Sequence, residues 1–307
     1  MDLNGTVAVI TGGGTGIGAA VAERLARKGA AAVVVNYSRS AADARETVAR
    51  LESLGCKAEA VAADVSDDAA VRRLAERVRA DYGRVDALVC NAGTTAWVPF
   101  ADLEGLTDEV WQRIMGVNLM GAFYCARAFA PALRAARGAV VNVASVAGLL
   151  ATGSSIAYGV SKAALLQLTR DLAVALGPEI RVNAVAPGLV ATRWHIDRVG
   201  EQVFSEMTAK EQRKAPLRRT AQPEHIAQLV TALLESDLVT GEVLVGTAGG
   251  TCSTERATRG PRRAAPARRP GRRRPVPVAQ GRRLRRPGRP TPASGPPPAP
   301  WPGGPGP

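Results

Sequence analysis

The stretch Thr6-Val-Ala-Val-Ile-Thr-Gly-Gly-Gly-Thr-Gly-Ile-Gly18 decides the fold, because an apolar run leads directly into a cluster of glycines. A Val- and Ile-rich run is typical of a buried β-strand, and the glycines after it permit a tight turn into a helix. Gly12, Gly16 and Gly18 follow the spacing T-G-x-x-x-G-x-G. This spacing lets a pyrophosphate approach backbone N–H groups and the positive end of the helix. The stretch therefore predicts a dinucleotide site, and a turn without a ligand is the alternative.

Apolar runs alternate with segments of helical periodicity over the first 250 residues or so. Continuous Val-rich strands separated by helices predict a parallel sheet with both faces covered, a doubly wound α/β domain of the Rossmann type. Such a sheet binds ligands at the carboxyl ends of its strands. The predicted strands are 6–10, 32–36, 58–62, 87–90, 139–143, 181–185 and 242–245, and the predicted helices are 18–28, 41–54, 67–82, 108–135, 155–176 and 223–234.

The composition changes sharply near residue 255. Residues 256–307 contain 14 arginines and no Asp, Glu or Lys. Subtracting this +14 from the formal net charge of +13 leaves about −1 for residues 1–255. We therefore expect one domain over residues 1–255, large enough for a substantial core, and an Arg/Pro/Gly-rich disordered tail over residues 256–307.

Several classes of protein are disfavoured. No apolar run reaches 18 residues, and the first residues lack the basic and apolar regions of a signal peptide, so we expect neither a membrane span nor secretion. The four cysteines have neither metal-ligand nor disulfide spacing, which favours reduced thiols in the cytoplasm and no metal site. They are Cys56, Cys90, Cys125 and Cys252.

The end of the second predicted strand bears on the choice of nicotinamide cofactor. An acidic residue there would bond the ribose hydroxyls of NAD, but the sequence reads Tyr37-Ser38-Arg39. Arg39 and the Ser38 hydroxyl suit a 2′-phosphate, so NADP(H) is favoured and NAD(H) remains possible. Arg39 as a solvated loop charge is the alternative, and Thr15 in the glycine loop supplies no second basic group.

Two more polar positions follow predicted strands. Asp64 can accept a hydrogen bond from the adenine amino group, with Val65 beside the ring, although Asp64 or Ser66 as a helix N-cap is a serious alternative. Small residues at 91–93 (Asn-Ala-Gly) let the main chain pass beneath a cofactor, and the Asn91 side chain can join neighbouring strands. We interpret residues 91–93 as scaffold for the cofactor.

Tyr158 and Lys162 indicate proton-transfer chemistry. At positions i and i+4 they share one helix face, where an ammonium can lower the pKa of a phenol that exchanges a proton near neutral pH. Ser145 ends the fifth predicted strand and so reaches the same sheet edge, or it merely caps a turn. Asn118 lies mid-helix among apolar residues, where it either holds a water towards Lys162 or bonds a bent main chain.

With these motifs in order, residues 3–252 closely resemble the short-chain dehydrogenase/reductase superfamily. The resemblance implies hydride transfer between NADP(H) and a ketone or secondary alcohol, with Asn118, Ser145, Tyr158 and Lys162 as a catalytic tetrad. It also implies a homo-oligomer, a dimer or tetramer, formed through helices 108–135 and 155–176. The cofactor residues expected are Gly12, Gly14, Thr15, Gly16, Ile17, Gly18, Tyr37, Ser38, Arg39, Asp64, Val65, Asn91, Ala92, Gly93, Tyr158, Lys162, Pro187, Gly188, Val190 and Thr192.

The sequence departs from the superfamily near its end, where Thr247-Ala-Gly-Gly250 replaces an Asp-Gly-Gly turn. The closest patterns are 3-oxoacyl-carrier-protein reductases and sugar dehydrogenases. A 3-oxoacyl-type ketone is the favoured substrate, with a sugar or polyol as the alternative. Residues 189–216 are expected to form a lid, with His195 as a lid residue rather than an acid or base.

Three arginines and the basic tail bear on which macromolecules the protein binds. Arg134, Arg137 and Arg170 lie where acidic carrier proteins dock in the reductases, although exposed arginines are common. The basic tail could bind nucleic acid or another polyanion, a different class of function, but it has one aromatic residue and no fold motif for sequence readout. Its composition also resembles a GC-rich gene read in a shifted frame, so nucleic acid is not the favoured partner.

Overall fold

Seven parallel strands form one sheet in the computed structural model, whose described residues are 1–249 and 251. The strands are β1 (Val7–Ile10), β2 (Ala32–Tyr37), β3 (Lys57–Ala62), β4 (Ala87–Cys90), β5 (Ala139–Val143), β6 (Arg181–Pro187) and β7 (Val243–Gly246). Their order is β3-β2-β1-β4-β5-β6-β7, so the winding changes direction between β1 and β4. A crevice opens at the carboxyl ends of the strands at such a switch point.

Helices cover both faces of the sheet, which confirms the predicted single Rossmann-like α/β domain. The predicted tail, residues 256–307, and Cys252 lie outside the described residues, and the boundary at residue 255 stays a prediction. Among the described residues, no helix is both long and apolar enough to cross a membrane. The helices are α1 (Gly16–Arg27), α2 (Ala41–Ser53), α3 (Asp68–Tyr82), α4 (Asp108–Met115), α5 (Gly121–Ala136), α6 (Ile156–Leu176), α7 (Arg193–Val199), α8 (Glu201–Lys214) and α9 (Pro223–Glu235).

The core has two layers, one on each face of the sheet. Within β1, Ile10 packs with Leu25 in one layer and its neighbour Val9 packs with Phe129 in the other, since successive strand residues point to opposite faces. All four side chains are almost completely buried. Complete burial of a side chain of this size contributes about 1.5–3 kcal/mol. β1 and β4 are apolar throughout because both of their faces are covered.

The predicted helix 108–135 is interrupted. A π-helical turn over Gly116–Met120 separates α4 from α5, and the N–H of Gly121 bonds the carbonyl of Gly116 across five residues. A side chain at Gly121 would meet Val65 at 2.8 Å, so the helix approaches the loop after β3 too closely for any residue but glycine. Such π turns are frequent at functional sites. This one buries Asn118, which is 1% exposed.

The segment predicted as a lid contains two helices with few core contacts. Within the lid, α7 buries no residue and α8 buries only Phe204. Arg193 at the start of α7 forms an ion pair of 2.6 Å with Asp43 of α2. The two lid helices are therefore held by a few individual contacts, such as this ion pair, rather than by a buried apolar helix face.

The unusual C-terminal turn closes without an aspartate. The hydroxyl of Thr247 accepts a hydrogen bond of 3.1 Å from the N–H of Gly249. The carbonyl of Ala248 accepts another from Leu217, which follows the lid. The departure from the superfamily pattern therefore leaves the turn bonded in the described part of the chain.

Candidate active site

The carboxyl ends of the strands open into a cavity of about 810 Å³ that extends from the glycine loop to the lid. It brings together residues from β1 through the lid, as the sheet topology requires. All of the expected cofactor residues line it except Gly14 and Gly18. Of the expected tetrad, Ser145, Tyr158 and Lys162 line it and Asn118 lies behind it.

Gly14 and Gly18 do not line the cavity, and both allow neighbouring parts of the protein to pack closely against them. A side chain at Gly14 would lie 3.0 Å from the backbone of Ala44, so this glycine allows α2 to approach the loop. A side chain at Gly18 would overlap the carbonyl of Gly12 and approach Asn91 Nδ2 to 2.6 Å. Neither residue has room for a side chain, and their expected role of presenting backbone N–H groups to a cofactor stays a prediction.

The glycine loop fits a dinucleotide in two respects. No side chain caps the N-terminus of α1 at Thr15, so the positive end of this helix is open to the cavity that Thr15 lines. Asn91 Nδ2 donates hydrogen bonds of 3.0 Å and 2.9 Å to the carbonyls of Thr11 and Gly12, which joins β4 to the loop. An anionic group would find unpaired backbone N–H groups at this position.

Two guanidinium groups line the β2 end of the cavity, and a third lies near them. Arg39 and Arg113 both line it, and Arg113 comes from α4. Burial is the main cause that lowers the pKa of Arg198 on α7; the charge of Asp197 opposes this shift, and the charges of Arg113 and Arg39 add to it. α4 therefore brings a second basic side chain to this end of the cavity, and α7 places a third nearby. The sequence contains no signal for this, since the three residues are far apart along the chain.

Asp64 lines the cavity, but neither Asp64 nor Ser66 caps α3. The Oδ1 of Asp64 accepts hydrogen bonds from the N–H and the hydroxyl of Ser66, at 2.9 Å and 2.7 Å. Asp67 is the N-cap, because its side chain accepts a bond of 2.9 Å from the N–H of Ala69. The helix-cap alternative for Asp64 is therefore wrong, and a contact between Asp64 and a bound adenine stays a prediction.

Tyr158 and Ser145 form the reactive end of the cavity. Burial raises the pKa of Tyr158, and a hydrogen bond with Ser145 opposes this shift. Ser145 Oγ also accepts a bond of 3.1 Å from Ala147, so it caps a turn as well as facing the cavity. The expected lowering of the phenol pKa by Lys162 is not found, because burial dominates. Tyr158 is therefore protonated at neutral pH and can donate its proton.

Lys162 is buried beside Tyr158. Its Nζ donates a hydrogen bond of 2.8 Å to the carbonyl of Val143 and lies 5.8 Å from the centre of the Tyr158 ring. Burial lowers the pKa of Lys162 to about 8. The ammonium is therefore mostly charged at neutral pH and lies close enough to stabilise a phenolate.

Asn118 fastens the main chain behind the site. Its Oδ1 accepts a bond of 2.7 Å from the N–H of Thr94, and its Nδ2 donates to the Thr94 carbonyl and to Ser161. A side chain at Gly93 would lie 3.6 Å from Asn118 Oδ1 and 3.8 Å from Lys162 Nζ. The Asn118 side chain therefore bonds the main chain, as one of the two interpretations expected. A water held between Asn118 and Lys162 stays a prediction, and it would need the main-chain carbonyl of Asn118 because the side chain is already bonded.

A second cavity of about 490 Å³ lies between the site and the lid. Its wall combines apolar side chains, among them Trp97, Leu150 and Met207, with Lys210 and Glu211 from α8. Met207, Lys210 and Glu211 belong to the segment predicted as a lid, whereas Trp97 and Leu150 were not predicted, because their positions depend on how the lid packs. Five residues line both cavities and so form the opening between them, namely Ser145, Tyr158, Gly188, Trp194 and His195.

The arrangement suits carbonyl chemistry. One cavity has the length and the anion-binding end that a dinucleotide needs, and the other is a smaller pocket lined by both apolar and polar side chains. Ser145 and Tyr158 place two hydroxyl groups at the opening, where both can bond one oxygen atom. A protonated phenol beside an ammonium can donate a proton to that oxygen.

Comparison with known proteins gives consistent results. A family model described as enoyl-(acyl carrier protein) reductase matches residues 12–251. A Streptomyces violaceoruber protein named as granaticin polyketide synthase ketoacyl reductase 2 is 44% identical over 240 residues, covering 78% of this chain and 93% of that protein. Galactitol 2-dehydrogenase of Rhizobium johnstonii is 40% identical over 258 residues, covering 81% and 96%. The crystal structure of a short-chain dehydrogenase/reductase from Burkholderia xenovorans matches with a TM-score of 0.74 at 36% identity, covering 81% and 98%.

Proposed function

Since this chain belongs to the short-chain dehydrogenase/reductase superfamily, whose members are oxidoreductases of alcohol and carbonyl groups, we propose that it reduces a 3-oxoacyl-type ketone with NADPH. The observation that carries the proposal is the opening between the two cavities. There, Ser145 and Tyr158 face a long cleft on one side and a smaller pocket of mixed apolar and polar lining on the other.

The residues at the opening divide the work of reduction. When bound, NADPH supplies a hydride to the carbonyl carbon. Ser145 and Tyr158 bond the carbonyl oxygen, and Tyr158 gives it a proton as negative charge develops there. Lys162 stabilises the resulting phenolate and, through the ribose, the cofactor. Reversal of each step gives alcohol oxidation.

The preference for NADPH is supported by the charges at the β2 end of the long cavity. No acidic residue follows β2 to bond a free ribose 2′-hydroxyl, and Arg39 and Arg113 line the cavity there. Arg198 lies near both. Guanidinium groups that lie close together repel one another. The charge of Asp197 offsets this repulsion at Arg198, and a 2′-phosphate would offset it at Arg39 and Arg113.

We expect Arg39→Ala to weaken NADPH binding about tenfold while changing NADH binding little, because one charge-assisted hydrogen bond is lost. Tyr37→Asp should shift the preference towards NADH by repelling the 2′-phosphate. Dissociation constants for both cofactors by fluorescence titration check this. Arg45→Ala, at an exposed position that lines neither cavity, is the control. A wild-type preference for NADH that neither variant alters would overturn the assignment.

Two comparisons support a 3-oxoacyl substrate, and a third supports the alternative, a sugar or polyol. The matching family model and the granaticin relative are both named for acyl chemistry, whereas galactitol 2-dehydrogenase is named for a polyol. Cofactor turnover should be measured over 3-oxoacyl thioesters, trans-2-enoyl thioesters, simple ketones, sugars and polyols. Highest kcat/KM on a 3-oxoacyl thioester is the expected result. Turnover of polyols or enoyl thioesters alone would contradict it.

A carrier-bound substrate and self-association are also part of the proposal. Arg134 on α5, Arg137 just after this helix and Arg170 on α6 are exposed, which leaves them accessible to an acidic carrier protein. Val174 on α6 is 85% exposed, as suits an apolar side chain that a second copy of the chain would cover. Light scattering of the intact chain checks for the dimer or tetramer.

A further inference from the structure

His195 of the lid occupies the opening between the two cavities. It lies in the first turn of α7 and lines both cavities, opposite the strand-end residues that also do so. Its ring stacks on Phe204 at 5.9 Å with an interplanar angle of 13°, and it meets Trp97 edge-on at 6.3 Å and 75°. Aromatic contacts from α8 and from the loop after β4 therefore fix the orientation of the imidazole.

The polar atoms of His195 are not equivalent. Its Nδ1 is buried and has no hydrogen-bond partner among the described residues. A buried N–H without a partner is unfavourable, so the favoured tautomer carries its proton on Nε2. Burial, followed by the charge of Arg198, lowers the pKa of His195, so the ring is neutral at neutral pH. Because the ring lines both cavities, Nε2–H is the donor left to meet a bound molecule.

The substrate group that this donor meets follows from the position of the reacting carbonyl. Ser145 and Tyr158 hold the ketone oxygen at the same opening that His195 lines. A 3-oxoacyl thioester carries a second carbonyl one methylene away from the ketone. A simple ketone of the same length lacks that acceptor. A fixed neutral donor opposite the catalytic hydroxyls can therefore recognise the second carbonyl.

We propose that His195 donates a hydrogen bond to the thioester carbonyl of the substrate and so selects 1,3-dicarbonyl compounds over simple ketones. The inference rests on the proposed ketone reduction. It assigns His195 to substrate recognition and leaves proton transfer to Tyr158. The apolar side chains of Trp97, Leu150 and Met207 then contact the acyl chain.

A matched pair of substrates tests this. The first is the N-acetylcysteamine thioester of 3-oxobutanoic acid, and the second is the thioether in which a methylene replaces the thioester carbonyl. His195→Phe keeps an aromatic ring against Phe204 and removes both nitrogens. His195→Gln restores an N–H donor. Val203→Ala, an exposed lid position that lines neither cavity, is the control.

We expect His195→Phe to lower kcat/KM for the thioester roughly 10- to 100-fold and for the thioether by less than about threefold. His195→Gln should recover part of the thioester activity, and Val203→Ala should resemble wild type. NADPH affinity by fluorescence should be unchanged in all three, which shows that each variant is folded. Equal losses on the two substrates, or no loss on either, would overturn the role of His195 while leaving ketone reduction intact. Wild-type enzyme that reduces neither substrate would overturn the proposed function and, with it, this inference.

Discussion

The cofactor side of the molecule and the lid differ in how they are held. Val9, Val34 and Val89 in the centre of the sheet are completely buried, whereas α7 buries no residue and α8 buries only Phe204. Side chains packed on both faces of a sheet have one arrangement, and a lid with few buried contacts can open at little cost. The cofactor side, called the fixed side below, holds the catalytic groups in one arrangement, whereas the lid can adapt to a substrate. The following predictions test this difference.

The largest effect is expected at Tyr158, on the fixed side. Tyr158→Phe keeps the ring and its packing but removes the proton donor, so kcat should fall about 10²- to 10⁴-fold. Cofactor affinity should stay within a factor of about two, because the ring still fills its place. Steady-state turnover and fluorescence titration measure the two quantities. Near-normal turnover would refute the assignment of Tyr158 as the acid.

Two glycines compare the sides directly. Gly18→Ala places a methyl group against the Gly12 carbonyl and Asn91, so we expect a loss of about 1–3 kcal/mol in the free energy of unfolding and weaker NADPH binding. Gly200 joins α7 to α8 at φ +79° with open space around it. Gly200→Ala strains only the lid, so KM should rise while global unfolding stays within about 1 kcal/mol of wild type. Similar losses of global stability would contradict the difference between the two sides.

Lys162 shows that the fixed side is not optimised for stability. Its pKa of about 8 lies below the ordinary value of 10.5, so the folded state binds fewer protons between these values, and stability rises as pH increases through this window. Lys162→Met should therefore be about 1–2 kcal/mol more stable than wild type at pH 7, after allowance for the hydrogen bond lost at Val143. It should also be nearly inactive.

Denaturant unfolding at pH 7 and at pH 10 checks this prediction. The advantage of the variant should shrink at the higher pH, where wild-type Lys162 is neutral. Lys210→Met, at an exposed position, should show no such gain. A less stable Lys162→Met protein at pH 7 would mean that the ammonium is compensated in the folded chain.

The smallest effect on activity is expected from removal of the tail, which belongs neither to the fixed side nor to the lid. A chain that ends at residue 255 should keep its kcat/KM, because every expected site residue precedes that position. It should lose most of the affinity of the intact chain for heparin or DNA, and that affinity should fall steeply with salt because phosphate contacts release counterions. An inactive but folded and assembled shorter chain would assign the tail a part in catalysis.

The sequence predicted the fixed side well and the lid poorly, for physical reasons. Strand periodicity and strand-end residues such as Ser145 depend on local pattern and sheet topology, which repeat across a fold. The bounds of the π turn around Asn118 were missed because apolar periodicity continues through it, and the close approach of Gly121 to Val65 involves a distant loop. Arg113 and Arg198 were missed because their proximity depends on where the lid lies.

The ion pair between Arg193 and Asp43 has a kinetic consequence. Arg193 lines the long cavity and its partner Asp43 belongs to α2, so the pair fastens the lid to α2 beside this cavity. We expect the pair to break whenever the lid moves away from α2 to admit or release a cofactor. Arg193 and Asp43 are 61% and 30% exposed, so salt screens their attraction. Where cofactor release limits turnover, a moderate rise in ionic strength therefore accelerates the enzyme.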